Sequence, residues 1–247
     1  CAGPMTVLNT IVAKQLKEFK VDVDKLIDTK NLKKDEAVFN VLREYIKESK
    51  NIRFDGDGYG DAWEKEAKKR GLSNNKTTPE ALKVLTSKKV IDLYKEMEVM
   101  NQIEIEARYE IKLEEYTKRL QIESRVLGDI SRNHVVPTAI IYQNTLLENT
   151  KNLKEIFGEE FKNIAKEQIE LIMTISNHIT EINSLVIKME EQRAKANKQI
   201  GLKSAEQYCS KVKPFFNQIR YHCDTLETMV DDNLWPLTKY RELLFTS

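Results

Sequence analysis

The one string in this sequence with the alternating oxygen donors of a cation loop is Asp55-Gly56-Asp57-Gly58-Tyr59-Gly60-Asp61, followed by Glu64 and Glu66. A helix–loop–helix calcium site draws side-chain oxygens from positions one, three and five. It needs a glycine at position six and a bidentate carboxylate at twelve. Asp55, Asp57, Gly60 and Glu66 fall on one, three, six and twelve, but Tyr59 stands at five. The frame is short of a hard ligand, so the residues read better as a glycine-rich turn capping the next helix. A phosphate cradle fits less well, because the spacing is not G-x-G-x-x-G and no buried strand precedes it.

The histidines, His134, His178 and His222, belong to three different predicted helices. His178 and His222 sit inside apolar stripes where they can face each other. Two imidazoles do not complete a metal site, and Cys223 points about 100° away from its neighbour His222 on a helix. Satisfied core histidines are the expectation. Glu104, Glu106, Glu110, Glu114, Glu115 and Glu123 suggest a carboxylate di-metal centre, but the Glu-x-x-His pairs of such a centre are missing. Interleaved with Lys112, Lys118, Arg119 and Arg125, these acids form a solvated face in which Glu114 reaches Lys118 and Glu115 reaches Arg119. Trp235-Pro236 is read as an aromatic packing anchor beside a helix stop. No catalytic, cofactor-binding or metal-binding residue is assigned.

The elements that would position these residues are helices. Glycine (8) and proline (5) are few and 32% of residues are charged, the balance of long exposed helices with apolar stripes. Lys plus Arg (40) and Asp plus Glu (39) leave a net charge of +1, which gives no electrostatic case for nucleic acid or an anionic membrane. No apolar run nears the roughly 20 residues of a membrane span. Cys1, Cys209 and Cys223 have neither disulfide nor zinc spacing and suit a reducing cytoplasm.

The predicted fold is all-α, an array of long antiparallel helices with a smaller helical N-terminal region. Three regions are expected. Residues 1–27 carry Met5, Leu8, Val12, Leu16 and Phe19 on one helical face, with Pro4 in the first turn; a lone helix cannot bury that face. Residues 28–100 hold a helix over Asp35 to Lys50 and another through Trp63 to Arg70, begun by an Asp61/Glu64 capping box and ended at Gly71. A third helix there is capped by Thr78 and sends Ala81, Leu82 and Leu85 inward. Residues 101–247 form the long-helix bundle. Its first helix runs from Ile103 to Asn133, with Leu113, Tyr116, Leu120, Leu127 and Ile130 inside, until Pro137 interrupts or restarts it. Next comes a stripe of Ile140, Leu146, Leu147, Leu153 and Phe157, ended by Gly158. Two stripes spaced at three and four follow. One is Phe161, Ile164, Leu171, Ile175, His178, Ile182, Leu185 and Met189; the other is Ala205, Tyr208, Val212, Phe215, Ile219, His222, Leu226 and Met229. The chain opens Cys1-Ala2-Gly3-Pro4 without an initiator methionine and is read as the C-terminal part of something longer.

Several strings resemble the type III glutamine synthetases. Ala2-Gly3-Pro4 and Val7 to Ala13 are similar to the last helix of that family's catalytic domain. Gly56 to Tyr59, Arg70-Gly71-Leu72, Lys76 to Leu82 and Glu114 to Arg119 resemble the segments that follow. So do Arg125 to Asp129, Asn133-His134, Pro137 to Ala139, Tyr142 to Leu146, and Gly158. Tyr221 to Asp224, Trp235 to Leu237 and Tyr240 to Phe245 resemble its C-terminus. The resemblance implies a parent enzyme that joins glutamate and ammonia with ATP, through a γ-glutamyl phosphate, using Mg or Mn. It also implies that those sites lie in an upstream catalytic domain, the partner of this region, and that the parent is a homo-oligomer of stacked hexamers. The fragment itself is then structural or oligomer-forming, with no cofactor of its own. The competing expectation is a free-standing helical adaptor that takes a partner helix between Met173, Ile175, Ile182 and Met189.

Overall fold

A computed structural model describes residues 2–245. Among them there is no strand, and no helix is long and apolar enough to cross a membrane. Cys1 lies outside the described residues. The chain divides into two compact units, residues 1–112 and 113–247.

In the first unit α1 (Ala2–Lys30) and α2 (Lys34–Glu48) form a hairpin across a short turn, in which Asn31 takes a φ of 51°. Val23, Ala37 and Val41 are its buried centre, flanked by Phe19, Leu26, Ile27, Leu32, Val38 and Tyr45. Met5, Leu8, Val12 and Leu16, one face of α1, remain 53–62% exposed. Phe39, Leu42 and Ile46 form a second wet stripe on α2. A short 3-10 turn, Ser49–Ile52, leads into the glycine-rich loop.

The loop is followed by α3 (Asp61–Lys69). The Asp61/Glu64 capping box does not form. The N-cap is Gly60, without a side-chain cap, and Glu64 instead pairs with Lys76. A reciprocal box occurs at Asn101/Glu104: Glu104 N–H donates to Asn101 Oδ1 at 3.0 Å, and Asn101 N–H donates to Glu104 Oε2 at 2.8 Å. It opens α6 (Gln102–Ile130). The end of α3 is as expected, with Gly71 at φ +72° and Leu72 N–H bonded back to the Ala67 carbonyl. The cap of α4 (Thr78–Lys83) is Thr77, one residue earlier than expected. Pro79 is the buried residue there, Leu82 and Leu85 are half-buried, and Ala81 is exposed. α5 (Lys88–Glu96) completes the unit with the start of α6.

The second unit is built around α9 (Lys166–Ala196). α7 (Val136–Phe157) is joined to it through Gly158, at φ +53°, and the short α8 (Phe161–Ile164). α10 (Gly201–Gln207) and α11 (Pro214–Met229) return along α9, and α12 (Tyr240–Leu243) is a final turn. Side-chain contacts set the directions. Gln121 meets Asn197 and Arg132 meets Glu190, so α6 and the turn after it run antiparallel to α9. Gln143 meets Ser176 while Asn149 meets Gln168, which orients α7 the same way.

Pro137 does not break the helix. A π-helical turn, Ser131–Val135, carries α6 directly into α7, and Val136 N–H donates to the Ser131 carbonyl five residues back. The device recurs at Tyr208–Val212, where Lys213 N–H donates to the Tyr208 carbonyl at 2.9 Å immediately before Pro214. Proline lacks an N–H, and its ring crowds the carbonyl four residues earlier. Widening the preceding turn by one residue makes that room while the helix continues.

The stripes of α9 and α10–α11 are as read from sequence. Ile175, Ile182, Met189, Ala205, Tyr208, Val212, Ile219 and Leu226 are fully buried. The adaptor groove is absent, because Ile175, Ile182 and Met189 are core and only Met173 of that set is exposed. Ile164 is exposed too. The α7 stripe is also corrected: Ile140, Leu147 and Phe157 are exposed, and Val136, Thr138, Ala139 and Thr150 are buried in their place. Ile182→Ala is expected to destabilise the chain by about 2–5 kcal/mol, and Met173→Ala by about 0.5 kcal/mol or less. Urea unfolding distinguishes them; equal losses would show that α9 is not the centre of the bundle.

Candidate functional site

Three places bring together residues capable of chemistry. The first is the glycine-rich loop. Phe54 packs on Trp63 with ring centroids 4.4 Å apart, and the Arg70 guanidinium lies 5.7 Å from the Phe54 ring. Arg70 also donates to the carbonyl of Arg53 at 2.7 Å and to Glu66 Oε1 at 2.6 Å. That bond, ahead of any other influence, holds the Glu66 carboxyl below its usual range. Asp57 Oδ1 accepts from Tyr59 N–H at 2.9 Å, a local turn bond. Glu66, the would-be twelfth-position ligand, is thus the arginine's partner at the base of the loop. Tyr59 projects fully into solvent.

The second place is an open cleft of about 850 Å³ in the first unit, between α1, α2 and the end of α5. Lys14 pairs with Glu96 and, at 3.1 Å, with Glu18, while Lys17 lies 3.6 Å from Glu96. Both lysines already have carboxylate partners. The bond to Glu96 is the main reason the Lys14 ammonium sits above its ordinary pKa, and its counterpart lowers the Glu96 carboxyl. Tyr45 donates to Asp22 Oδ2 at 2.7 Å. With that bond first and burial second, its pKa is pushed up to about 12, so it acts as a structural donor rather than a base.

The third place lies in the second unit, where α9 and α11 bring His178 Nδ1 and His222 Nδ1 to 2.8 Å. Both rings are half-buried, and Tyr221 packs edge-on to His222 at 5.2 Å between centroids. Glu181, Leu185, Asn217, Gln218, Tyr221 and His222 line an adjoining shallow groove of about 370 Å³. Burial first, then the charge of His222, holds the His178 pKa below its ordinary value. The expected facing of these histidines is therefore realised, and each satisfies the other. His134 is exposed on the first π-helical turn. Cys223, on the next residue of α11, turns toward the same π-helical turn, 3.5 Å from Ser131 Oγ.

Of the expected acidic face, the Glu114–Lys118 pair forms at 2.6 Å. Trp235 is buried, as an anchor should be, and its indole N–H has no partner. Among the described residues no three His, Cys, Asp or Glu side chains converge on a metal position. Spacing carries no sign of the Tyr45–Asp22 and Ser131–Cys223 contacts, which join residues of different helices and depend on rotamers. Chemically, none of the three places offers a nucleophile held by a base, or a cation left over for a phosphate.

Comparison with known proteins places this arrangement. Residues 37–154 match a family model described as the glutamine synthetase C-terminal domain. The chain is 46% identical to a glutamine synthetase of Bacteroides fragilis (strain YCH46), over 100% of its own length and 34% of that protein. It is 30% identical to a type-3 glutamine synthetase of Dictyostelium discoideum, over 98% of its length and 33% of that protein. With a glutamine synthetase of Butyrivibrio fibrisolvens it shares 28% identity over 85% of its length and 30% of that protein. The chain therefore spans about a third of the length of the curated relatives it matches.

Burial, more than any neighbouring group, pushes the Cys223 thiol up from its ordinary value, so little thiolate is present near neutrality. Alkylation followed by peptide mass analysis should find Cys223 protected in the native chain at about pH 8 and modified once it unfolds. The native rate should rise as pH is raised. Rapid native labelling at neutral pH would contradict the Ser131–Cys223 packing.

Proposed function

Because this chain belongs to the glutamine synthetase family and carries that family's C-terminal domain, we propose that it is the helical, non-catalytic part of a glutamate–ammonia ligase. In this reading the parent consumes ATP, glutamate and ammonia and releases glutamine, ADP and phosphate by way of a γ-glutamyl phosphate. ATP and divalent Mg or Mn are bound in a catalytic domain outside the 247 residues. The parent works as a homo-oligomer in the cytoplasm, and this helical region contributes to its assembly. The two described cysteines, both free thiols, are consistent with a reducing compartment.

The observation that carries the proposal is the wet face of α1. Met5, Leu8, Val12 and Leu16 recur at three and four residues and are each more than half exposed. An apolar stripe of that length on an otherwise well-formed helix marks a surface that meets another protein surface. The similarity extends across this helix, since the match to the Bacteroides protein covers the whole chain. A catalytic domain of the same family is the cover it fits. The second support is chemical: at the base of the loop, in the cleft and at the histidine pair, Glu66 is engaged with Arg70, Lys14 with Glu96, and His178 with His222.

Two outcomes are expected. The isolated chain should form no glutamine from ATP, glutamate and ammonia, whereas the longer protein containing it should. In that longer protein the double substitution Leu8→Asp, Val12→Asp should lower both activity and the size of the assembly measured by sedimentation, while leaving the helicity of the isolated chain unchanged. Turnover by the chain alone, or an unaffected longer protein, would overturn the reading.

A further inference from the structure

We propose that His178 and His222 form a proton-operated latch between α9 and α11, closed while at least one of the two imidazoles is neutral and opened when both are charged. The inference is independent of the reading above, since it concerns only the second unit.

The chemistry follows from one distance. At 2.8 Å between the two Nδ1 atoms, one ring donates its Nδ1–H and the other accepts with the Nδ1 lone pair. In the neutral pair the donor carries its lone pair on Nε2, and the acceptor carries its proton there. A first added proton goes to Nε2 of the donor. The bond survives, now as an imidazolium donating to a neutral imidazole, a charge-assisted contact. A second proton has only the acceptor's Nδ1 to occupy. That would set two N–H groups and two positive charges against each other, so the rings must part. Titration is therefore stepwise and belongs to the pair rather than to either ring.

The surroundings do not relieve the doubly charged state. Burial opposes protonation of His178 first, and the charge of His222 opposes it further. On α9, Glu181 is one turn from His178, exposed and on the wall of the groove. On α11, Tyr221 packs against both rings, Cys223 turns to Ser131, and Asp224 is engaged with Arg220 at 3.7 Å. On α7 the neutral Gln143 donates to the Ile172 carbonyl and to Ser176, within two turns of His178 along α9. On the first π-helical turn Arg132 is paired with Glu190 at 3.0 Å, and His134 is exposed. Among the described residues the hydrogen bond of each ring is to the other.

The sign of the pH dependence follows. Above the ordinary imidazole range, folded and unfolded chains are both neutral at these sites and the latch contributes in full. As pH falls below about 6.5 the unfolded chain takes up two protons at these sites where the folded pair takes only one, so folded-state stability declines until the pair itself is doubly protonated. Opening separates α9 from α11 beside Leu185 and Tyr221, which widens the groove between them.

The test uses the 247-residue chain. In a proton NMR titration His178 and His222 should titrate together in two steps, with the second displaced to lower pH. Thermal unfolding gives the second readout. Between about pH 7.5 and pH 5 the Tm of the wild type should fall by about 2–4 °C more than that of His222→Gln. Independent single-step titration of His178 and His222 would overturn the latch. So would an identical pH response of Tm in wild type and variant. Should His222→Gln fail to fold, the wild-type titration alone decides.

Discussion

Burial of the α9 stripe is the constraint on which the second unit depends. Ile175, Ile182, Val186 and Met189 are removed completely from water, against Tyr208, Val212, Ile219 and Leu226 returning along the same helix. Each such side chain is worth about 1.5–3 kcal/mol of transfer free energy, whereas helix propensity decides little over this length. The other features of the unit accommodate that seam. The two π-helical turns let Pro137 and Pro214 sit within continuous helices that still face α9. A Cβ added at Gly128 would stand 3.4 Å from Val186 Cγ1, so α6 lies close against the same stripe.

The first unit has no comparable centre. Its hairpin buries only Val23, Ala37 and Val41 together, and the charged rim of its cleft is made of exposed pairs of the kind that contribute little in water. α1, 29 residues long, has a small core on one side and a wet apolar stripe on the other. The chain spans about a third of the length of the curated relatives it matches.

How much was legible in the sequence depended on how many faces of a helix carried apolar residues. α9 and α10–α11 each have one stripe spaced at three and four, and the structure buries those residues almost one for one. α7 carries large aliphatics on two sides, Ile140 and Ile141 as well as Leu146 and Leu147, so periodicity picked the wrong set. The small Ala139, Thr138 and Thr150 are what fit against α9. Local capping was ambiguous for a similar reason. Thr77 and Thr78 are equivalent by type, and Asn101/Glu104 satisfies the box pattern as well as Asp61/Glu64, so only the backbone conformation at each site chooses. Pro137 reads as an interruption or a restart because proline forbids the ordinary hydrogen-bond register. The alternative of a locally widened register leaves no mark in composition.

The histidines show where pattern stops and geometry starts. Spacing put His178 between Ile175 and Ile182, and His222 between Ile219 and Leu226, so facing positions followed from the two stripes. Contact between the nitrogens did not, because it needs matching heights on two antiparallel helices and compatible rotamers. Its presence also constrains the packing. A slip of α11 by one turn along α9, about 5.4 Å, would preserve an apolar seam but leave two half-buried imidazoles without partners. Hydrophobic burial tolerates several registers of two striped helices, whereas a bond that exists in only one of them selects it. The pair that makes the seam sensitive to protons is therefore also one of the contacts that gives it a single alignment.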